Sequence, residues 1–184
     1  MKLPSRIAAV STVLALSIGS DQAAKHIARV LLHDRFPVSL LHDCVRFQYA
    51  ENPGIMLSIG AALSPAARFW IFVVALGLLL ISMLVYVLLS KELDRMQTVA
   101  WSLIVSGGLG NLVDRLTRNG VVIDYVSIGV GIVRTAVFNI ADVLVFAGVF
   151  LLLVHGTRKD GGPGHGDVKD TGRQEPDVRQ DPSP

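Results

Sequence analysis

The stretch Ala136–Val154, AVFNIADVLVFAGVFLLLV, constrains this chain more than any other. At ~1.5 Å rise per residue its 19 residues form a rod about 28 Å long, close to the hydrocarbon thickness of a bilayer. Asn139 and Asp142 nevertheless sit one turn apart just inside its start. A carboxylate in hydrocarbon costs roughly 2.5–3.5 kcal/mol, so such a residue faces a bundle interior or an aqueous cavity and usually has a function there. The bland reading is an acid paired to a neighbouring helix to hold the bundle together.

Composition bounds the alternatives. With 184 residues, 51% of them hydrophobic, and a mean hydropathy of +0.52, the chain is one small integral membrane domain. A net charge of +2 gives no electrostatic footprint for nucleic acid. The single cysteine, Cys44, excludes an intramolecular disulfide. No Cys/His spacing suits a metal, and no P-loop or dinucleotide fingerprint occurs.

Lys2, Arg6 and the apolar run Ile7–Gly19 look like a secretory signal sequence. The apolar pattern continues past Asp21 to Leu32, which favours a retained helix over about 6–32. Asp21, Lys25 and Arg29 recur at i, i+4 and i+8, so Asp21 and Lys25 can pair on one stripe. Residues 33–68 are polar, and Val45, Phe47 and Tyr49 alternate with Arg46 and Gln48 as in an amphipathic strand. Asn52-Pro53-Gly54 then signals a turn, with Gly54 offered for a positive φ, followed by the greasy Ile55-Met56-Leu57. A charge-free helix is predicted over 69–90 and another over 97–116. Within the latter, Ser106 and Gly110 permit close helix approach. Asn111 and Asp114 share a face, and Asp114 and Arg115 read as an ion pair at the helix end. Val121-Val122-Ile123 predicts a strand or re-entrant piece delivering Asp124, and the last helix spans 136–155. The tail 156–184, rich in Gly, Pro and charge, is expected to be disordered.

Four spans fix the parity of the connections. Asp21 and Lys25, Asn52 and Gly54, Asn111, Asp114 and Arg115, Asp124, and Asn139 and Asp142 then all lie at one membrane surface. Two carboxylates brought close cannot both ionise cheaply, so Asp124 and Asp142 would share a proton. One could serve as base on a water while the other donates to a carbonyl oxygen. The simpler alternative, that these acids never meet, stays open at this point.

Five motifs carry a family resemblance: Asp21-Gln22-x-x-Lys25, Asn52-x-Gly54, Gly110-Asn111-x-x-Asp114-Arg115, Val122-Ile123-Asp124-Tyr125 and Phe138-Asn139-x-Ala141-Asp142. In this order the chain resembles the lipoprotein signal peptidases (bacterial signal peptidase II), intramembrane aspartic proteases. The resemblance implies a membrane all-α fold, a four-transmembrane-helix bundle with a small extracytoplasmic β-sheet and a short loop helix, over residues 1–155. It implies Asp124 and Asp142 as the catalytic pair, with Asn52, Gly54, Asn111, Arg115 and Asn139 lining the substrate site. Asp21, Lys25 and Asp114 would support them. The implied substrates are diacylglyceryl-modified prolipoproteins cut just before the lipidated cysteine, with no metal or organic cofactor, and the inhibitor globomycin is expected to bind. The implied setting is a multi-pass monomer in the bacterial inner membrane. Its termini would be cytoplasmic, its site near the extracytoplasmic face. Without the resemblance, the competing readings are a proton-coupled transporter with intramembrane Asp residues and a non-enzymatic assembly factor.

Overall fold

The computed structural model describes residues 2–55 and 59–160. Four long helical rods carry a small sheet at one end. The first, α1 (Leu3–Leu32), begins three residues earlier than its apolar pattern suggests, with Pro4 in its first turn. The second rod is continuous from Pro65 to Leu89. It comprises α2 (Pro65–Phe69), a π-helical segment (Trp70–Ala75) and α3 (Leu76–Leu89). Ser64 caps it by accepting from the backbone N–H of Ala67, so the rod starts four residues before the predicted position. Next, α4 (Arg95–Thr117) opens with a capping box between Asp94 and Gln97.

The last helix, α5 (Ile140–Asp160), corrects both predicted boundaries. Residues 136–139 are not helical, because Phe138 pairs with Val126 of the sheet. An apolar run alone does not distinguish strand from helix, and here tertiary pairing decides. At the far end α5 continues five residues past the predicted stop at 155. The tail beyond 160 and the greasy stretch 56–58 lie outside the described residues.

Two of the rods, Leu3–Leu32 and Pro65–Leu89, are long and apolar enough to cross a membrane, and Ile140–Gly156 is a shorter apolar helix. Their outward faces are greasy: Leu78, Leu79, Ile81 and Leu89, like Phe146, Phe150 and Leu153, are exposed.

The sheet has the order β1-β2-β3-β4, with β1 (Val38–Leu40), β2 (Val45–Asn52), β3 (Val122–Val130) and β4 (Val133–Arg134), all antiparallel. The strand predicted from the 45–49 alternation is present, and so is the one leading into Asp124. The second loop, by contrast, is a β-hairpin followed by extended chain. Among the described residues it holds no helix, contrary to the short loop helix that the resemblance implied. Ile123 and Tyr125 pack with Ala28 of α1 beside Phe47, Tyr49 and Ile140. Because successive strand residues face opposite ways, burying that pair turns Asp124 toward the other side of the sheet.

Close contact between α4 and α5 sets the depth of the bundle. A Cβ on Gly107 would collide with the carbonyl of Ala141 and, at 2.8 Å, with Val145. One on Gly148 would meet the Ala100 carbonyl at 2.5 Å and Ile104 at 2.6 Å. These glycines, more than the predicted Ser106/Gly110 pair, bring the two backbones together. Gly110 instead makes room for Asp21, whose Oδ2 lies 2.8 Å from where its Cβ would be. Gly148→Val is therefore expected to cost about 1–3 kcal/mol in reversible unfolding from mixed micelles. Gly19→Val, with nothing within 4 Å, should shift stability by no more than about 0.5 kcal/mol.

Candidate active site

The site begins with a buried cation. Lys25 lies fully inside the protein, and its ammonium has three donors and no acceptor. All three are used: Asp21 Oδ2 at 2.8 Å, Asp114 Oδ2 at 2.9 Å and Asn111 Oδ1 at 2.8 Å. The predicted Asp21–Lys25 pair is thus present. It is part of a four-residue core cluster and not an interfacial pair. The predicted Asp114–Arg115 pair is absent. Adjacent helical residues point about 100° apart, so Asp114 turns inward to Lys25, with Arg118 Nε at 3.3 Å, while Arg115 leaves in another direction.

Each acid of this cluster also grips backbone. Asp21 Oδ1 accepts from Ala141 N–H at 3.0 Å, and Asp114 Oδ2 accepts from Ile123 N–H at 3.2 Å. Ala141 immediately precedes Asp142, and Ile123 immediately precedes Asp124. One buried lysine therefore fixes, through its two acids, the backbone that presents both candidate carboxylates. Gln22, quoted in the first motif but given no role, ties the same cluster to α4. Its amide donates to Asp114 Oδ1 at 3.0 Å and to the Gly110 carbonyl at 3.1 Å.

Donor and acceptor logic then orients three asparagines. Lys25 can only donate, so Asn111 meets it with Oδ1 and turns its Nδ2 to Asp142 Oδ1 at 3.0 Å. Asn139 Oδ1 accepts from the backbone N–H of Asp142 at 3.0 Å, while Asp142 Oδ2 accepts from the backbone N–H of Asn139 at 3.1 Å. This reciprocal pair caps α5 in the manner of a capping box, and the first-turn carboxylate complements the helix dipole. The freed Asn139 Nδ2 donates to Asp124 Oδ1 at 2.6 Å. Likewise Asn52 Oδ1 accepts from Gly54 N–H at 3.0 Å, leaving Nδ2 to reach Asp124 Oδ2 at 3.0 Å. Gly54 does not use a positive φ; the turn closes through this Asn52 side chain.

Both acids line one cleft of about 550 Å³ between the second rod, α4, α5 and the sheet. Its other walls are mainly apolar, with Ile55, Leu76, Val137, Val143 and Phe146. Arg115 sits at its edge, donating to the Gly54 carbonyl at 2.5 Å and packing its guanidinium over Phe72, 5.6 Å from the ring centre. Burial pushes the Asp124 carboxyl up to about 6. The Asn52 and Asn139 amides oppose this, and the nearby Asp142 charge adds to it. Every residue named from sequence is in this assembly: Asp124 and Asp142 face the cleft, Asn52, Asn111 and Asn139 hold them, and Asp21, Lys25 and Asp114 lie behind. The contributions of Phe138, which pins the entry to α5 onto β3, and of the Ile123 and Ala141 amides left no signature in residue type.

Fold and site together define a helical membrane protein that presents two hydrogen-bonded carboxylates to an apolar cleft. The family model for signal peptidase (SPase) II matches residues 13–158. The lipoprotein signal peptidase of Chlorobium phaeobacteroides is 32% identical over 151 residues, covering 78% of this chain and 86% of the relative. That of Escherichia coli O157:H7 is 31% identical over 147 residues, covering 80% and 85%. The fold is similar to a bacterial membrane enzyme solved by the in meso method at 2.3 Å resolution, with a TM-score of 0.73 and 22% identity over 89% of this chain and 96% of that one. The chain belongs to the signal peptidase II family and is a protease.

Two outcomes test the site. Removing one partner of a buried charge cluster costs about 3–5 kcal/mol, so Lys25→Met should lose stability of that order and give little folded protein on size-exclusion chromatography. The second concerns pH. The folded-state pKa of Asp124, about 6, exceeds its unfolded value, so the folded protein holds the extra proton between the two. The stability it contributes is full below the unfolded value and is lost as pH rises through about 6. The difference in unfolding free energy between wild type and Asp124→Asn should therefore change across pH 4–6 and level off above.

Proposed function

We propose that this protein is an aspartic endopeptidase that removes signal peptides from diacylglyceryl-modified prolipoproteins by cleaving just before the lipidated cysteine. The observation that carries this reading is Asn139, which holds Asp124 by its side chain and Asp142 by its backbone and so keeps two carboxylates at one end of a greasy cleft. Membership of the signal peptidase II family favours proteolysis over the proton-coupled transporter alternative.

In this mechanism the scissile carbonyl enters between the two acids. Asp142, oriented by the Asn111 amide and the Asn139 backbone, takes a proton from a water as it attacks the carbonyl carbon. Asp124, with its raised pKa, donates its proton to the carbonyl oxygen. Collapse of the tetrahedral intermediate breaks the C–N bond, the proton gained by Asp142 passes to the leaving amine, and a hydroxyl of the intermediate returns a proton to Asp124 as the carbonyl re-forms. The pair titrates as a unit, so the pH dependence of kcat/KM belongs to both residues. Its alkaline limb should follow loss of the proton the pair shares.

All four rods are taken to cross the bacterial inner membrane, with cytoplasmic termini and the sheet on the extracytoplasmic surface. The cleft then opens at lipid depth, where a diacylglyceryl substrate is already concentrated. Each buried CH₂ contributes about 0.8 kcal/mol, so two acyl chains hold a substrate at the membrane more firmly than short peptide contacts. They also fix the depth of the scissile bond, and orientation of this kind supplies a large part of a barrier reduction. The protein is taken to act as a monomer, without metal or cofactor, and to bind globomycin in the same cleft.

Purified Asp124→Asn and Asp142→Asn should each fold and each lose at least a thousandfold in cleavage of a lipidated prolipoprotein. Retained turnover in either variant contradicts the pair. Asp114→Asn should instead lower the yield of folded protein. Matched substrates with and without diacylglycerol, compared in the same nanodiscs, should differ in kcat/KM by at least a hundredfold in favour of the lipidated one. Equal values would make the lipid a bystander.

A further inference from the structure

A second cavity, of about 240 Å³, lies beside the catalytic cleft, between the start of the second rod and the end of α4. Arg68, Arg115, Asn119 and Gly120 form its polar side; Phe69 and Val73 form its apolar side. Neither arginine is held in an ion pair, and Asp124, Asp114 and Asp142 favour the Arg115 charge only from farther away. Among the described residues no carboxylate lies within 4 Å of either. Arg115 is only 6% exposed, and while its two terminal nitrogens reach the carbonyls of Gly54 and Asn111, its Nε has no hydrogen-bond partner. A buried guanidinium donor left unpaired is costly, so the site favours an anionic acceptor.

The surroundings indicate which anion. Phe69 and Trp70 are more than half exposed at the start of a rod long and apolar enough to cross a bilayer, the usual place for an aromatic belt at headgroup depth. Guanidinium forks match phosphate oxygens, and the Phe69/Val73 wall suits the first carbons of an acyl chain. We propose that this second cavity binds the phosphate of an anionic phospholipid through Arg68 and Arg115. Arg115 also lines the catalytic cleft and holds Gly54, whose N–H orients Asn52 and thereby Asp124. A bound phosphate steadies that arm, so the lipid acts as an activator of the site next door.

The binding half of this inference is independent of the protease reading and is measured without substrate. Wild type and R68Q, purified in zwitterionic micelles and matched in thermal unfolding, are titrated with phosphatidylglycerol or phosphatidylcholine and followed by native mass spectrometry. Wild type should bind phosphatidylglycerol at least tenfold more tightly than phosphatidylcholine. R68Q should lose that preference, and R68K should recover most of it. Displacement of phosphatidylglycerol by millimolar inorganic phosphate assigns the affinity to the phosphate group; resistance to it assigns part of the affinity to the acyl wall. Should R68Q not fold, N119A takes its place. Equal binding of the two lipids by wild type, or an unchanged preference in the variant, overturns the site. In nanodiscs, phosphatidylglycerol should raise the kcat/KM of wild type severalfold and leave R68Q unmoved. An inactive wild type that still selects phosphatidylglycerol would count against the protease reading and not against this site.

Discussion

The ammonium of Lys25 is the interaction on which the rest of the structure depends. A charge with no exposure is tolerated only when every donor is matched, and here the matches do more than neutralise. Asp21 and Asp114 bring the carboxylate charge, and each spends a remaining lone pair on a backbone N–H next to a candidate catalytic acid. Asn111 takes the third proton and is thereby forced to aim its amide at Asp142. Three different segments, the start of α5, the strand β3 and the helix α4, are thus referred to a single point on α1.

From that point the order propagates outward by hydrogen-bond logic. Asn139 caps α5 with its oxygen and is left with a donor for Asp124; Asn52 closes its own turn with its oxygen and is left with another. The two carboxylates therefore differ in surroundings although they share a cleft. Asp142 sits in a helix first turn with a backbone N–H and an amide upon it. Asp124 sits in a strand, buried, held by two amides and raised to about 6. Two like groups distinguished by environment are what the proposed general acid–base chemistry requires. Gly110 serves the same end, since a Cβ there would lie 2.8 Å from Asp21 Oδ2 and 3.5 Å from Ala141 Cβ.

Much of this was legible in the residues. Apolar runs located four helices, their parity sent every polar motif to one end, and the 45–49 alternation marked a real strand. What stayed hidden was whatever depends on which surfaces meet. Asp114 and Arg115, neighbours in sequence, suggested a pair, yet on a helix they diverge and Asp114 finds Lys25 across the α1–α4 contact. The 136–139 segment reads as helix by hydropathy but is held extended by Val126. Gly54 suggested a positive φ in its turn and is instead a partner for Asn52 and Arg115.

The proposed chemistry requires Asp124 and Asp142 to share one electrostatic environment. Infrared difference spectroscopy of protein labelled with ¹³C at aspartate carboxyls measures this directly, by following the protonated Asp124 carbonyl band with pH and assigning it by its loss in Asp124→Asn. In wild type the band should disappear with a midpoint near 6. In Asp142→Asn, where the like charge is gone, the midpoint should fall. A midpoint that stays in place when Asp142 is neutralised would mean that the two acids do not feel each other and do not form a pair.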